Sequence, residues 1–309
     1  MKKLPIIFFW AIISSIFFSV QAFCAGAGSS TGLGLSFEQM VSARAAGMAQ
    51  AATAVEGDVN LIHYNPATIA IINSKEVGFT GLMGFTDMYL INIAYAKPFY
   101  GGVVAGSLSY FNGGNITLSL SDGTDKLYST AQTDLIIKAV YAKELIENLP
   151  VAASVKIYTS SLLDDTFRAA ALAFDFGVIY RTPIKNLKAG VSLQNVGSKI
   201  KYYQTDENLP MALRIGGSYP IDLDYGMLLF TNVDFNYLIN DGKLVTGIGG
   251  EFKYNDIFTF RGGYVLGNAL GLTFGAGFTF RGYIIDYAWE LAPEVASLGN
   301  HKVGLRIAL

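Results

Sequence analysis

The sequence predicts an all-β membrane protein: a closed antiparallel transmembrane barrel of about fourteen strands with a small N-terminal helical plug. Three observations carry this. A period-two alternation of apolar with small or polar residues recurs from residue 76 to the last residue. An export signal opens the chain, and no later apolar run is long enough for a helical span. Tyrosines gather at the ends of the alternating segments, where a lipid–water boundary would place them.

The N-terminus has the form of a secretory signal. Lys2 and Lys3 precede an apolar run from Leu4 to Val20, and Val20-Gln21-Ala22 offers a small-residue cleavage site, so residues 1–22 are expected to be removed. Removing Lys2 and Lys3 from the 22 basic residues leaves 20 against 24 acidic ones, a net charge of −4. That balance gives no basic stripe for a nucleic acid. Cys24 is the single cysteine, so no internal disulfide framework exists.

Residues 23–75 do not alternate. They are rich in small residues, partly helical in pattern from Ser42 to Val55, and apolar enough to need burial. A barrel of this size has a lumen too wide for its own side chains to fill. Residues 23–75 are therefore expected to fold as short helices into or across the barrel mouth.

Residues 76–309 form the expected barrel. The segment LGLTFGAGFTF (270–280) illustrates the pattern: Leu272, Phe274, Ala276, Phe278 and Phe280 share one face, and Gly271, Thr273, Gly275, Gly277 and Thr279 share the other. Strands are expected near 76–85, 88–97, 101–112, 130–142, 151–160, 167–181, 187–197, 210–219, 226–238, 244–254, 257–265, 270–280, 283–290 and 301–309. The stretch 113–129 is expected to form a small hairpin outside the wall. Tight connections, such as 98–100, 143–150 and 281–282, alternate with a set that includes longer polar ones, such as 113–129 and 198–209. Short periplasmic turns and longer external loops are the rule in such barrels, and an even strand number puts both termini in the periplasm. Prolines 98, 150, 183 and 220 are expected at the tight turns, because proline gives the ladder no donor. One aromatic girdle is read from Tyr95, Tyr100, Tyr141, Tyr180, Tyr219, Tyr225, Tyr254 and Tyr283. The opposite one is read from Tyr89, Tyr110, Tyr158, Phe167, Tyr237, Tyr264 and Trp289.

Charges in the strands fall on the polar phase: Asp134, Lys138, Lys156, Asp175, Arg214, Asp234, Glu251, Arg261, Asp286, Lys302 and Arg306. Their signs nearly balance, so no single-sign selectivity ring is evident. They read as a mixed-sign network that holds the lumen closed, with an ion path as the alternative. In the plug, Pro66 keeps Asn65 out of the helical region, and Asn65 suits a turn or helix cap. Arg44 and Asp58 are expected to pair with each other or with lumen charges. His63 and His301 are the only histidines, too few for a metal site by themselves, and the sequence calls for no cofactor. No nucleophile–base spacing or phosphate-cradling loop appears, so an enzyme is not expected.

The stretch 34–70, GLSFEQMVSARAAGMAQAATAVEGDVNLIHYNPATIA, resembles the N-terminal signature of the PorV/PorQ family and the related UPF0164 proteins, within the FadL-like outer-membrane barrels. The residues that carry the likeness are Ala43-Arg44-Ala45, Gly47-Met48, Asp58 and Tyr64-Asn65-Pro66-Ala67. LPMALRIGGSY (209–219) and residues 286–309 also look like the family. The resemblance implies a fourteen-stranded barrel whose plug contains the Asn-Pro-Ala turn. Its FadL-like side implies passage of hydrophobic molecules, leaving sideways through a wall gap, for which Gly101, Gly102 and Gly106 in the third strand suggest a place. Its PorV side implies a role in type IX secretion. The external loops here are short and polar, unlike the large loops of fatty-acid transporters. The first functional reading is passage or binding of hydrophobic small molecules at the outer membrane. The alternatives are a secretion partner that handles exported proteins and a purely structural barrel. Expected partners are outer-membrane lipids, the barrel assembly machinery, and hydrophobic molecules or secreted proteins.

Overall fold

The computed structural model describes residues 41–84, 87–119, 123, 125–128, 130–184, 186–202, 206–267, 271–291 and 299–309. The expected signal, residues 1–22, and plug residues 23–40 lie outside them.

Fourteen antiparallel strands close on themselves. In chain order they are β1 (Glu76–Met83), β2 (Tyr89–Phe99), β3 (Gly102–Asn112), β4 (Gln132–Ile146), β5 (Leu149–Leu162), β6 (Phe167–Arg181), β7 (Lys188–Gly197), β8 (Ala212–Asp222), β9 (Met227–Leu238), β10 (Lys243–Tyr254), β11 (Phe258–Leu266), β12 (Gly271–Phe280), β13 (Tyr283–Leu291) and β14 (Asn300–Ala308). Each pairs with its sequence neighbours, and β1 closes the circle on β14 from Glu76↔Ala308 to Met83↔His301. Closure leaves no ladder edge in lipid, which only barrels and helices achieve. Among the described residues no helix is long and apolar enough to cross a membrane. The expected outer hairpin is present as Ile116–Ser119 paired with Asp125–Tyr128.

The two phases separate as the alternation requires. In β2, Ile91, Ile93 and Tyr95 face outward and are exposed, whereas Leu90, Asn92, Ala94 and Ala96 face inward and are buried. An exposed greasy face around a buried polar one is the inverse of a soluble sandwich.

Inside the barrel sits the plug. Among the described residues its regular parts are a one-turn helix, α1 (Ala43–Ala46), and two 3-10 turns, Val59–His63 and Pro66–Ile69. Inward glycines let its backbone approach the wall. Gly249 and Gly263 are cross-strand partners on β10 and β11. A Cβ on Gly249 would lie 2.7 Å from the Met48 carbonyl carbon, and one on Gly263 would lie 2.7 Å from the Ala49 nitrogen. Further round the wall, a Cβ on Gly177 of β6 would collide with Asn65. Part of the small-residue phase is thus a seat for the plug. Around it, Val59, Ile62, Ile69 and Ile72 pack on Ala94, Ala96, Val103, Val140 and Ala142 of β2–β4.

Three expectations need correction. Pro98, Pro150 and Pro220 lie within β2, β5 and β8, because these hairpins run further than the pattern suggested. Each sits where its strand has lost one neighbour: pairing of β2 with β1 ends at Ala96, of β5 with β6 at Val151, and of β8 with β7 at Ser218. A missing donor on an unpaired side costs little. Tyr158 and Phe167 do not belong to the outer girdle. Tyr158 is fully buried, and Phe167 shares the inward phase of Ala171. Finally, β3 pairs without interruption from Phe99↔Gly102 to Tyr89↔Asn112 on one side and from Val103↔Ala142 to Asn112↔Thr133 on the other. Gly101, at φ +70°, serves the turn and opens no gap in the wall.

Replacing Gly249 by valine is expected to leave the barrel assembled but to unseat Met48 and Ala49. Overpacking of this kind costs about 1–3 kcal/mol. The measurements are thermal unfolding in detergent, expected to shift downward, and limited proteolysis, expected to cut near residues 48–50 in the variant alone.

Candidate functional site

Side chains aimed inward from the strands meet the plug in several buried clusters. In the first, Arg44 on α1 reaches across to Glu251 on β10. Its Nε donates to Oε2 at 2.8 Å and its Nη2 to Oε1 at 2.7 Å, a two-point fork with side chains 7% and 0% exposed. Glu251 also accepts from Arg261 Nε at 2.7 Å, and Arg261 Nη1 donates to Asp286 at 2.7 Å. Arg44 lies 3.7 Å from Asp58, which lies 3.9 Å from Arg306. Arg306 in turn lies 3.6 Å from Glu76 and donates to the Gly57 carbonyl at 2.5 Å. Burial by itself would lower the Arg44 pKa, but Glu251 more than offsets this and holds it above the ordinary value. Alternating signs keep each buried ion paired, which is the condition for tolerating it.

The second cluster holds the Asn-Pro-Ala turn. Asn65 is extended, with φ −152° and ψ 118°, and caps the 3-10 turn that begins at Pro66. Its Oδ1 accepts from the Ala67 N–H at 3.0 Å. Its Nδ2 donates to the Thr53 carbonyl at 2.8 Å and to the Val178 carbonyl of β6 at 3.1 Å. One side chain therefore caps a turn, ties two parts of the plug and joins them to the wall. Asp58 caps the preceding turn through the Asn60 N–H at 2.9 Å.

Beside that turn the wall bulges. Pairing of β6 with β7 slips between Phe174 and Phe176, and Asn195 takes φ +59°. Asp175, at the slip, accepts from Lys138 at 2.8 Å, from Lys156 at 2.7 Å and from the Asn195 N–H at 2.8 Å. Lys156 also bonds Asn195, and Lys138 donates to the Ile62 carbonyl at 2.5 Å. Gln194, on the regular inward phase of β7, donates to the carbonyls of His63 at 2.9 Å and Tyr64 at 2.8 Å, and Asn195 is the residue the bulge turns inward.

The remaining expected residues sit between these clusters. Asp234 accepts from the Ala52 N–H at 3.1 Å, the Thr53 N–H at 2.9 Å and the Thr53 hydroxyl at 2.5 Å. Arg214 donates to Gln50 at 3.1 Å, and its guanidinium lies 5.1 Å from the ring of buried Tyr64. Asp134 accepts from Gln132, and Lys302 pairs with Glu290 at 2.5 Å. Gly47 ends α1, and a Cβ there would lie 3.1 Å from Gly275 on β12. Met48 is fully buried near Asn232. The inward charges thus form separate clusters, some on the plug and some within the wall, rather than one ring.

One cluster has no counterpart in the sequence reading. Glu56 of the plug accepts from Arg181 at 2.7 Å and from Lys188 at 2.7 Å, and Arg181 also donates to Glu144 at 2.9 Å. Burial pushes the Glu56 pKa up, but the bonds from Arg181 and Lys188 outweigh it and hold it below the usual value. Glu56 lies in irregular chain, and Arg181, Lys188 and Glu144 lie at strand ends, so no periodicity marks them. Glu76 and Gln194 are missed as well, although the inward phases of β1 and β7 would have found them.

The arrangement pairs plug and wall side chains with each other inside the barrel. Among the described residues no group of histidine, cysteine or acidic side chains has the form of a metal site.

In comparisons with known proteins, the family described as "Type IX secretion system protein PorV" matches residues 35–245. Among curated proteins, none matches the sequence. The fold is shared with the Pseudomonas putida toluene transporter TodX: TM-score 0.64, 13% identity, covering 86% of this chain and 97% of that one. It is shared with the Ralstonia pickettii toluene transporter TbuX: TM-score 0.58, 15% identity, covering 85% and 96%. A Pseudomonas aeruginosa FadL homologue matches with TM-score 0.58 and 11% identity, covering 87% and 96%. At these identities the likeness is one of fold: a closed barrel shared with the two toluene transporters and the FadL homologue.

Two outcomes are expected. Arg44→Ala leaves Glu251 a partner short in a dry site, which destabilises by about 3–5 kcal/mol. Urea unfolding in detergent measures this, and Arg44→Met with Glu251→Leu should cost less than Arg44→Ala alone. Secondly, stability should fall as pH drops below about 6.5. Burial, helped by Lys138 and Lys156 and opposed by Asp175, holds the His63 pKa well below its ordinary 6.5, so the unfolded chain takes up a proton that the folded one refuses. The slope is at most about 1.4 kcal/mol per pH unit, and His63→Gln should flatten it. The Glu56 contribution is present above about 4.5 and is lost only as pH falls below that.

Proposed function

The chain belongs to the PorV family of type IX secretion system proteins, and on that premise we propose that it is an outer-membrane barrel that works on exported proteins at the outer face while its own lumen stays stoppered. The observation that carries this reading is the Arg44–Glu251 fork, which holds the plug to the wall at a buried two-point contact. Complete pairing supports it: all fourteen strands are bonded to both neighbours, which argues against a lateral exit. Barrel entry and chain end share one rim, where the Leu309 N–H donates to the Lys75 carbonyl at 2.8 Å. In this reading that rim is periplasmic and the opposite rim faces the cell exterior. The inward residues Asn65, Pro66, Arg44 and Asp58 then act as fastenings of a stopper rather than as a substrate path.

A second reading is passage or binding of hydrophobic small molecules. It is favoured by the fold shared with toluene transporters and by an inward apolar group, Leu82, Leu90 and Phe111, near the far rim.

A deletion strain separates the two. In the first reading, proteins normally attached at the surface accumulate in the periplasm, and toluene uptake is unchanged. The purified barrel is silent in planar bilayers and becomes leaky on Arg44→Ala. Normal surface attachment in the deletion strain, with reduced toluene uptake, would instead support the second reading.

A further inference from the structure

The wall carries a recess of about 550 Å³ on β4–β6, near the rim away from the termini. Its lining follows from register. Thr133, Ser161 and Arg168 stand in one cross-strand row, and Leu135, Thr159 and Ala170 stand in the next. The third row, Ile137, Ile157 and Leu172, is apolar and exposed. All nine share the outward phase. Rows two residues apart lie about 6.6 Å from each other, so polar turns to greasy over about 13 Å. That is the profile of one amphipathic molecule lying along the wall with its head toward the rim.

At the same rim other sectors carry large rings. Tyr89 and Tyr110 lie 6.0 Å apart on β2 and β3, and Trp289 stacks on His301 on β13 and β14. In β5 and β6 the nearby rings, Tyr158 and Phe167, point inward instead. The girdle is interrupted there by hydroxyls, alanine and one cation, and the interruption is the recess.

The chemistry of the head group follows from the polar row. Arg168 Nη2 donates to Asp165 at 2.9 Å, while the Arg168 side chain remains 71% exposed. A guanidinium held at one end and open at the other suits a phosphate. The Asp165 carboxylate and the hydroxyls of Thr133 and Ser161 suit sugar hydroxyls, which a simple phospholipid head supplies less well.

We propose that this girdle gap is a binding site for a phosphorylated glycolipid of the outer leaflet, its phosphate on Arg168, its sugar hydroxyls on Asp165, Thr133 and Ser161, and an acyl chain over Ile137, Ile157 and Leu172. The choice of leaflet rests on the orientation given under the proposed function; the role in export does not enter. The test is native mass spectrometry of the full chain in detergent with lipid A, phosphatidylglycerol or phosphatidylethanolamine added. Lipid A should be retained in preference to the other two. Arg168→Ala and Ala170→Trp should each lower that retention about tenfold, the scale of one lost charge-assisted contact. Ala276→Trp, on the lipid face of β12, should leave it unchanged. Resistance of the barrel to SDS at room temperature checks that each variant is folded. Equal retention of lipid A by all variants would overturn the site. Retention of phosphatidylglycerol as strong as that of lipid A would overturn the glycolipid and the leaflet, whatever the export assay gives.

Discussion

Backbone polar groups have no water to turn to inside a bilayer, so every strand that crosses it must be paired on both sides. Much of the rest follows from that constraint. Closing fourteen strands satisfies the ladders, but it encloses a lumen wider than the wall's own side chains can fill. The lumen must then be occupied, and residues 41–72 occupy it with short turns rather than long helices. Irregular backbone has many unpaired groups of its own. They are met by wall side chains: Thr273 for the Ala49 N–H, Asp234 for those of Ala52 and Thr53, Glu76 for that of Val59, and Gln194 for the carbonyls of His63 and Tyr64.

Two devices bring plug and wall together, and they differ in kind. Glycines on the inward phase remove side chains so that backbone meets wall closely, as at Gly249 and Gly263. Charges do the reverse and reach across gaps, as Arg44 does to Glu251. Geometry is decisive for the second device, because two ions taken out of water cost several kcal/mol each and recover it only through close, well-directed bonds. The fork of Arg44 on Glu251, shared with Arg261, meets that condition. At the rim that carries the termini the fastening is looser. Arg181 and Lys188 are 24% and 28% exposed where they hold Glu56, so salt and pH reach that contact more readily than the buried one.

Much of the wall was legible in the sequence because a strand's two faces meet different solvents, and alternation records that directly. The inward charges were legible for the same reason. So was the cap at Asn65, since Pro66 restricts the residue before it whatever surrounds the pair. Where proline and tyrosine were read by proximity to turns rather than by phase, errors followed. Pro98, Pro150 and Pro220 proved to be strand residues on one-sided hairpin ends, and Tyr158 and Phe167 proved to face the lumen. The bulge at Asn195 left no trace in the pattern, because one inserted residue shifts the phase of two positions and then disappears into the next loop.

The amino-acid sequence by itself determined the class of solvent on each face, the strand number and the cap at Asn65, because these depend on spacing along the chain. Only the tertiary structure decided which charge meets which. Arg44 and Glu251 are 207 residues apart, and their meeting depends on how the closed circle of strands carries β10 past α1. Pairing across a lumen is a property of closure, and closure is not written in any local stretch of residues.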